Sequence, residues 1–146
     1  MSAADSAVQT GVYSRLVAVS AVTDLLADGA SGVYDFVPQR DTDLEAEFPY
    51  IVLGEMNAET FDADDRLGHD VTVIVHTWDR AKRGKKPTQQ IMSAIYDALH
   101  RYTSLSVSGF TTVECRWDGL SEVMLDPDGL TYHGVQRFRV IATTGA

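Results

Sequence analysis

Cysteine is almost absent from this chain: Cys115 is the only one in 146 residues. An intrachain disulfide is therefore excluded, and a reducing compartment is the simplest setting. Long hydrophobic runs are missing as well, with nothing near the roughly 18 apolar residues of a membrane span. The first residues, MSAADSAVQTG, lack the basic start and apolar core of a secretory leader. Positive charge is scarce: 12 Lys and Arg stand against 21 Asp and Glu, a net charge of −9. A domain that grips phosphates carries a basic face and a positive balance, so the composition argues against tight nucleic-acid binding by the whole surface. An acidic surface does let DNA slide past without sticking. Repeats, low-complexity tracts and linker-like composition shifts are absent, and one domain over residues 1–146 is the reading.

What remains is ordinary globular material, 45% hydrophobic and 23% charged. Ala7, Val8, Val12, Leu16 and Val19 recur at helical spacing from Asp5 to about Val19, with Asp5 or Ser6 as the cap. Ser20 reads as a second cap, opening a short helix through Leu25 and Leu26 that stops at Gly29. Gly32–Pro38 and Phe48–Met56 read as strands, with Pro49 at the start of the second, where a missing donor matters least. His69 to Trp78 is the clearest strand. With period two, His69, Val71, Val73 and Val75 share one face, and Asp70, Thr72, Ile74, His76 and Trp78 the other. RAKRGKK is a loop centred on Gly84, and Pro87 opens a helix with the stripe Ile91, Ala94, Ile95, Ala98, Leu99 and Tyr102. Thr111–Trp117 reads as a strand. DPDG (Asp126–Gly129) then punctuates a hairpin with arms Glu122–Leu125 and Leu130–Ala142. The order predicts an α+β fold: a mainly antiparallel sheet of about five to six strands, packed with an N-terminal helix and one central helix.

Chemistry-bearing clusters are weak. His69 and His76 point to opposite faces of their strand, so the two cannot share one metal there. Neither these nor His100 and His133 sit in a GxSxG, HExxH or CxxC arrangement, and His100 suits a helix C-terminus as a cation. Cys115, alternating with Val113 and Trp117, reads as buried filler rather than a nucleophile. No catalytic residue, cofactor or metal ligand is therefore assigned. Two charged segments stand out instead. In Asn57–Asp70, Glu59, Asp62, Asp64 and Asp65 miss the D-x-D-x-D-G spacing of a calcium loop. The connection is long for a hairpin, which favours a partner contact. Arg80, Lys82, Arg83, Lys85 and Lys86 supply five of the chain's twelve positive charges just before a helix N-terminus, where cations are mildly unfavourable. An acidic protein surface would compensate them. A phosphate fits less well, because no GxxxxGK[ST] is present.

Several segments occur together in a familiar order: YDFVPQ, FPYIVLGE, the strand ending HTWDR, the helix ending YDALH, and DPDGLTYHGVQRFRV. The ordered set resembles the tail-completion, or tail-terminator, head–tail joining family of tailed phages, prophages and gene transfer agents. The resemblance runs from the first helix to the last strand. It implies a virion structural protein, assembled in the bacterial cytoplasm, that forms a closed, commonly hexameric ring. Such a ring caps the tail tube, ends its polymerisation and offers a surface to the head-side connector or stopper. DNA passes through the lumen without specific binding, no membrane is involved, and the family has no catalytic residues to carry over. Another head–tail connector, a tube subunit or a small hydrolase using His76 or His133 is the alternative.

Overall fold

The computed structural model describes residues 4–35, 47–60, 62, 67–80 and 84–144. Helix α1 spans Ala4–Ala18, α2 Ser20–Thr23 and α3 Lys86–Leu99. The strands are β1 Val33–Tyr34, β2 Tyr50–Thr60, β3 Gly68–Asp79, β4 Thr112–Leu125 and β5 Tyr132–Thr143. They form one sheet in the order β1-β2-β3-β5-β4. Only β1 and β2 run parallel; the other three pairings are antiparallel. This is the expected α+β fold.

The helices share one face of the sheet. Val8, Val12 and Leu16 of α1 and Ile91, Ile95 and Leu99 of α3 join a core with Val71, Val73 and Val75 of β3 and Phe138 and Val140 of β5. The period-two alternation of β3 is what puts its three valines inward. Each fully buried side chain of this kind contributes about 1.5–3 kcal/mol of transfer energy. Gly11 sits inside α1 because a Cβ there would lie 2.6 Å from the Ser106 carbonyl oxygen. The segment after α3 thus crosses the helix at backbone contact.

Several expectations change. Helix α1 begins at Ala4, so Asp5 and Ser6 lie inside it rather than capping it, and α3 ends at Leu99, which leaves Tyr102 of the expected stripe beyond the helix. The strands predicted over Thr111–Trp117 and Glu122–Leu125 are one strand, β4, with a bulge between Trp117 and Ser121. Gly119, at φ +82°, takes the backbone conformation that the bulge needs. The second helix ends at Thr23, and Ser20 is its first residue rather than its cap; Val19 holds the cap position without a side-chain bond. Of the strand predicted over Gly32–Pro38, Val33–Tyr34 is observed, and residues 36–38 lie outside the described part. Finally, the acidic connection is shorter than expected, since Glu59 pairs with Asp70 and Thr60 with His69 in the β2–β3 ladder. The hairpin at DPDG is as read. Asp128 accepts from Leu130 N (2.8 Å), Thr131 N (2.9 Å) and Thr131 Oγ1 (2.7 Å), while Gly129 turns the chain at φ +72°.

Candidate interaction surfaces

The basic segment divides in two. Arg80 is engaged inside the fold: its Nε donates to Thr131 Oγ1 (2.9 Å), a guanidinium nitrogen lies 3.7 Å from Asp128, and its carbon stands 4.4 Å over the Phe48 ring. It fastens the end of β3 to the β4–β5 turn and to the start of β2. Lys85 and Lys86, by contrast, are exposed at the N-terminus of α3. Lys82 and Arg83 lie outside the described residues, as do Asp64 and Asp65. In the acidic segment, Glu59 is an exposed strand residue and Asp62 accepts from Gly68 N (3.1 Å) at the entry to β3. Their described members lie toward opposite ends of β3, Glu59 and Asp62 at its start and Lys85 and Lys86 beyond its end, and the strand is about 35–40 Å long by strand rise. They are therefore two separate surfaces.

On the sheet face away from the helices, charged side chains alternate with Ile74, Val135 and Ile141, and several of the charges are paired. Arg139 pairs with Asp70, Arg137 with Asp118 (2.8 Å) and Arg116 with Glu114 (2.8 Å). Glu114 is held below its usual carboxylate range, first by the hydrogen bond from Arg116. A face of alternating sign has no sustained positive potential with which to hold a phosphate backbone.

This face also gathers residues that sequence reasoning leaves apart. His76 Nδ1 lies 2.7 Å from His133 Nε2, and His76 Nε2 lies 2.8 Å from Glu55 Oε1. Trp78 stacks on His133 with ring centroids 3.8 Å apart and planes at 7°. Gly54 makes room, because a Cβ there would come within 2.5 Å of the His76 ring. His76 Nε2 faces a carboxylate, and a single proton can lie between His76 Nδ1 and His133 Nε2. Burial and the neighbouring His76 push His133 below the ordinary imidazole value. The hydrogen bond from His76 lowers Glu55. The facing nitrogens are too close to share a metal, since two tetrahedral Zn–N bonds would set them roughly 3.3 Å apart. Among the described residues, no three His, Cys, Asp or Glu side chains are placed to hold one metal ion. The signal present in the sequence is face parity, which puts His76 beside Trp78; the pairing with His133 depends on the β3–β5 register.

Cys115 is buried on the helix-covered face, opposite the histidines, and burial followed by the Glu114 charge pushes its thiol up to about 12. A thiol so placed is a poor nucleophile. His100 follows α3, and its ring serves the local backbone, with Nδ1 accepting from Trp117 N (3.0 Å).

Residues 10–143 match the family described as Tail completion protein gp17. The chain belongs to that family. The matched span runs from within α1 to the end of β5, so it takes in every described strand, all of α3 and the later part of α1. Among relatives, the tail completion protein gp17 of Bacillus phage SPP1 is 33% identical over 92 residues. That alignment covers 63% of this chain and 66% of the relative, a little under two thirds of each. A chain in the structure of a native gene transfer agent virion superposes with a TM-score of 0.81, covering 98% of this chain and 99% of that one at 20% identity. At that identity the likeness is one of fold.

Proposed function

We propose that the protein is a virion structural component that closes the tail tube and joins it to the head-side connector. It acts as a closed ring, six copies being the number the family resemblance suggests. The ring ends tube polymerisation, and DNA passes through its lumen without specific binding. The observation that carries this reading is the family match itself, which takes in every described strand, all of α3 and the later part of α1. A relative named for tail completion and a fold neighbour drawn from a virion support it.

The physical chemistry is consistent with geometric rather than catalytic work. Among the described residues, the polar cluster at His76, His133 and Glu55 has no serine or cysteine nucleophile as a hydrogen-bond partner, and Cys115 is on the other face. We assign contacts to the two ends of β3. Lys82, Arg83, Lys85 and Lys86 serve one end, and Glu59, Asp62, Asp64 and Asp65 the other. Opposite charges there suit head-to-tail packing between ring neighbours or contacts along the tail axis, and speed the encounter. The test is to add purified protein to growing tail tubes of the same particle. Closed oligomers bound at tube ends, with elongation halted, are expected. Incorporation throughout the tube would identify a tube subunit instead, and indifference to tube ends would remove the reading.

A further inference from the structure

Exposed large apolar side chains are concentrated at one edge of the sheet. Tyr96 (37%), Trp117 (36%), Met124 (40%), Leu125 (53%) and Leu130 (63%) follow α3, β4 and the turn after it. Tyr96 and Trp117 line an open groove of about 740 Å³ between α3 and the second half of β4, together with Lys85, Gln89, Met92 and Val123. Apolar and aromatic surface gathered in this way marks a contact rather than a solvated face.

The backbone beside this groove is equally unfinished. β4 is an edge strand, and its first half is covered: Cys115 N donates to Tyr102 O (3.1 Å), and Arg101 N donates to Cys115 O (2.8 Å). Beyond the bulge, Ser121 to Leu125 pair with β5 on one side and with no described strand on the other. An unpaired edge of this length is a template for a second chain. It is also held rigid, since Trp117 Nε1 donates to Leu120 O (3.0 Å) and Arg137 ties Asp118 to β5 (2.8 Å).

The other edge of the sheet, at β1, has the opposite charge. Asp24, Asp28 and Asp35 are all exposed there, and residues 20–35 contain no Lys or Arg. The half-exposed Leu25 stands among them. At the α3 end of the groove, Lys85 is exposed in the wall with Lys86 exposed beside it, and Glu122 is the one carboxylate among the described residues of that wall, with Asp97 exposed next to Tyr96.

We infer that these edges bind each other: the α3–β4 groove of one copy receives the acidic β1 edge, with Leu25, of a second copy. Charge favours this occupant, because Lys85 and Lys86 at the α3 end of the groove complement the acidic β1 edge. Contact between two different patches of one chain is head-to-tail, the arrangement that closes into rings. The inference rests on the ring reading above and names the surface through which ring neighbours meet.

The test pairs two variants of the full chain, K85E/K86E and D24K/D35K, with sedimentation mass read in solution and on tube ends. Carboxylates at the start of α3 favour that helix, so the first variant keeps its fold. Each variant alone should associate about tenfold or more weakly than the parent. Mixed one to one they should regain the parental mass, because each new acidic groove edge meets a new basic β1 edge. Retention of the parental mass by either variant alone, or failure of the mixture to reassemble, overturns the inference. So does a parent that stays monomeric both in solution and on tubes; a monomer that still halts elongation would leave the tail-completion reading standing without this contact.

Discussion

Arg80 separates what the sequence suggests from what the fold uses. It stands first in a basic run and groups by sequence with Lys82, Arg83, Lys85 and Lys86 as a contact residue, yet its guanidinium is spent on Thr131, Asp128 and Phe48. Replacing it with Met keeps the aliphatic stem and removes only the head. The bond to Thr131 is worth about 1 kcal/mol, and the cation–π contact at 4.4 Å about 0.5 kcal/mol. The ion pair at 3.7 Å, between side chains each 35% exposed, adds about 0.2–0.5 kcal/mol. The sum is about 2 kcal/mol, or a fall of about 6 °C in Tm for a chain of this size. Thermal melts followed by circular dichroism at one low protein concentration measure it, since assembly makes Tm depend on concentration. K85A under the same conditions should melt within about 1 °C of the parent, as an exposed surface change does. An Arg80→Met variant that melts like the parent but fails to assemble would refute the structural role and return Arg80 to the contact surface.

Other outcomes follow from single residues. Gly11→Ala should destabilise by about 1–2 kcal/mol in denaturant titration, although helix propensity alone predicts a gain of about 1 kcal/mol, because the new Cβ meets the Ser106 carbonyl; a stabilised variant would show that this crossing gives way. His133 is favoured in its neutral form when folded, so the unfolded chain binds the extra proton first as pH falls. Stability should begin to drop below the ordinary imidazole value of 6.5. A separate, lower loss should come as Glu55 and Asp128, both held below their ordinary values of 4.5 and 3.8, are protonated. His133→Phe should flatten the first step in a pH series of melts and leave the second; an unchanged first step would exclude His133 as its source. Cys115 should resist a thiol reagent at pH 8 in the folded protein and react at once in denaturant, by absorbance assay; rapid labelling of folded protein would contradict its burial.

What is legible in the sequence is local. The alternation of Val71, Val73 and Val75, the stripe of Ile91, Ile95, Ala98 and Leu99, and the DPDG turn are set by neighbours within a few residues, and each reappears in place. What is not legible depends on distant partners. Gly119 falls between the two strands read over Thr111–Trp117 and Glu122–Leu125, but β5 pairs on both sides of it and turns the break into a bulge. Glu59 reads as a loop residue until the β2–β3 ladder pairs it with Asp70. His76 and His133 are 57 residues apart, and only the register of β3 on β5 brings them within 2.7 Å. The exposed edge at β4 is hidden for the same reason: the strand order, with β5 between β3 and β4, is a property of the whole sheet.

The central claim is that this protein works as a closed ring on the end of a tail tube. Its most direct test is the mass of the purified chain over a range of concentrations, alone and after addition of tail tubes from the same particle. A closed oligomer of fixed copy number that sits on tube ends and stops their growth is the predicted result. A chain that stays monomeric and leaves tube growth unchanged would contradict the account.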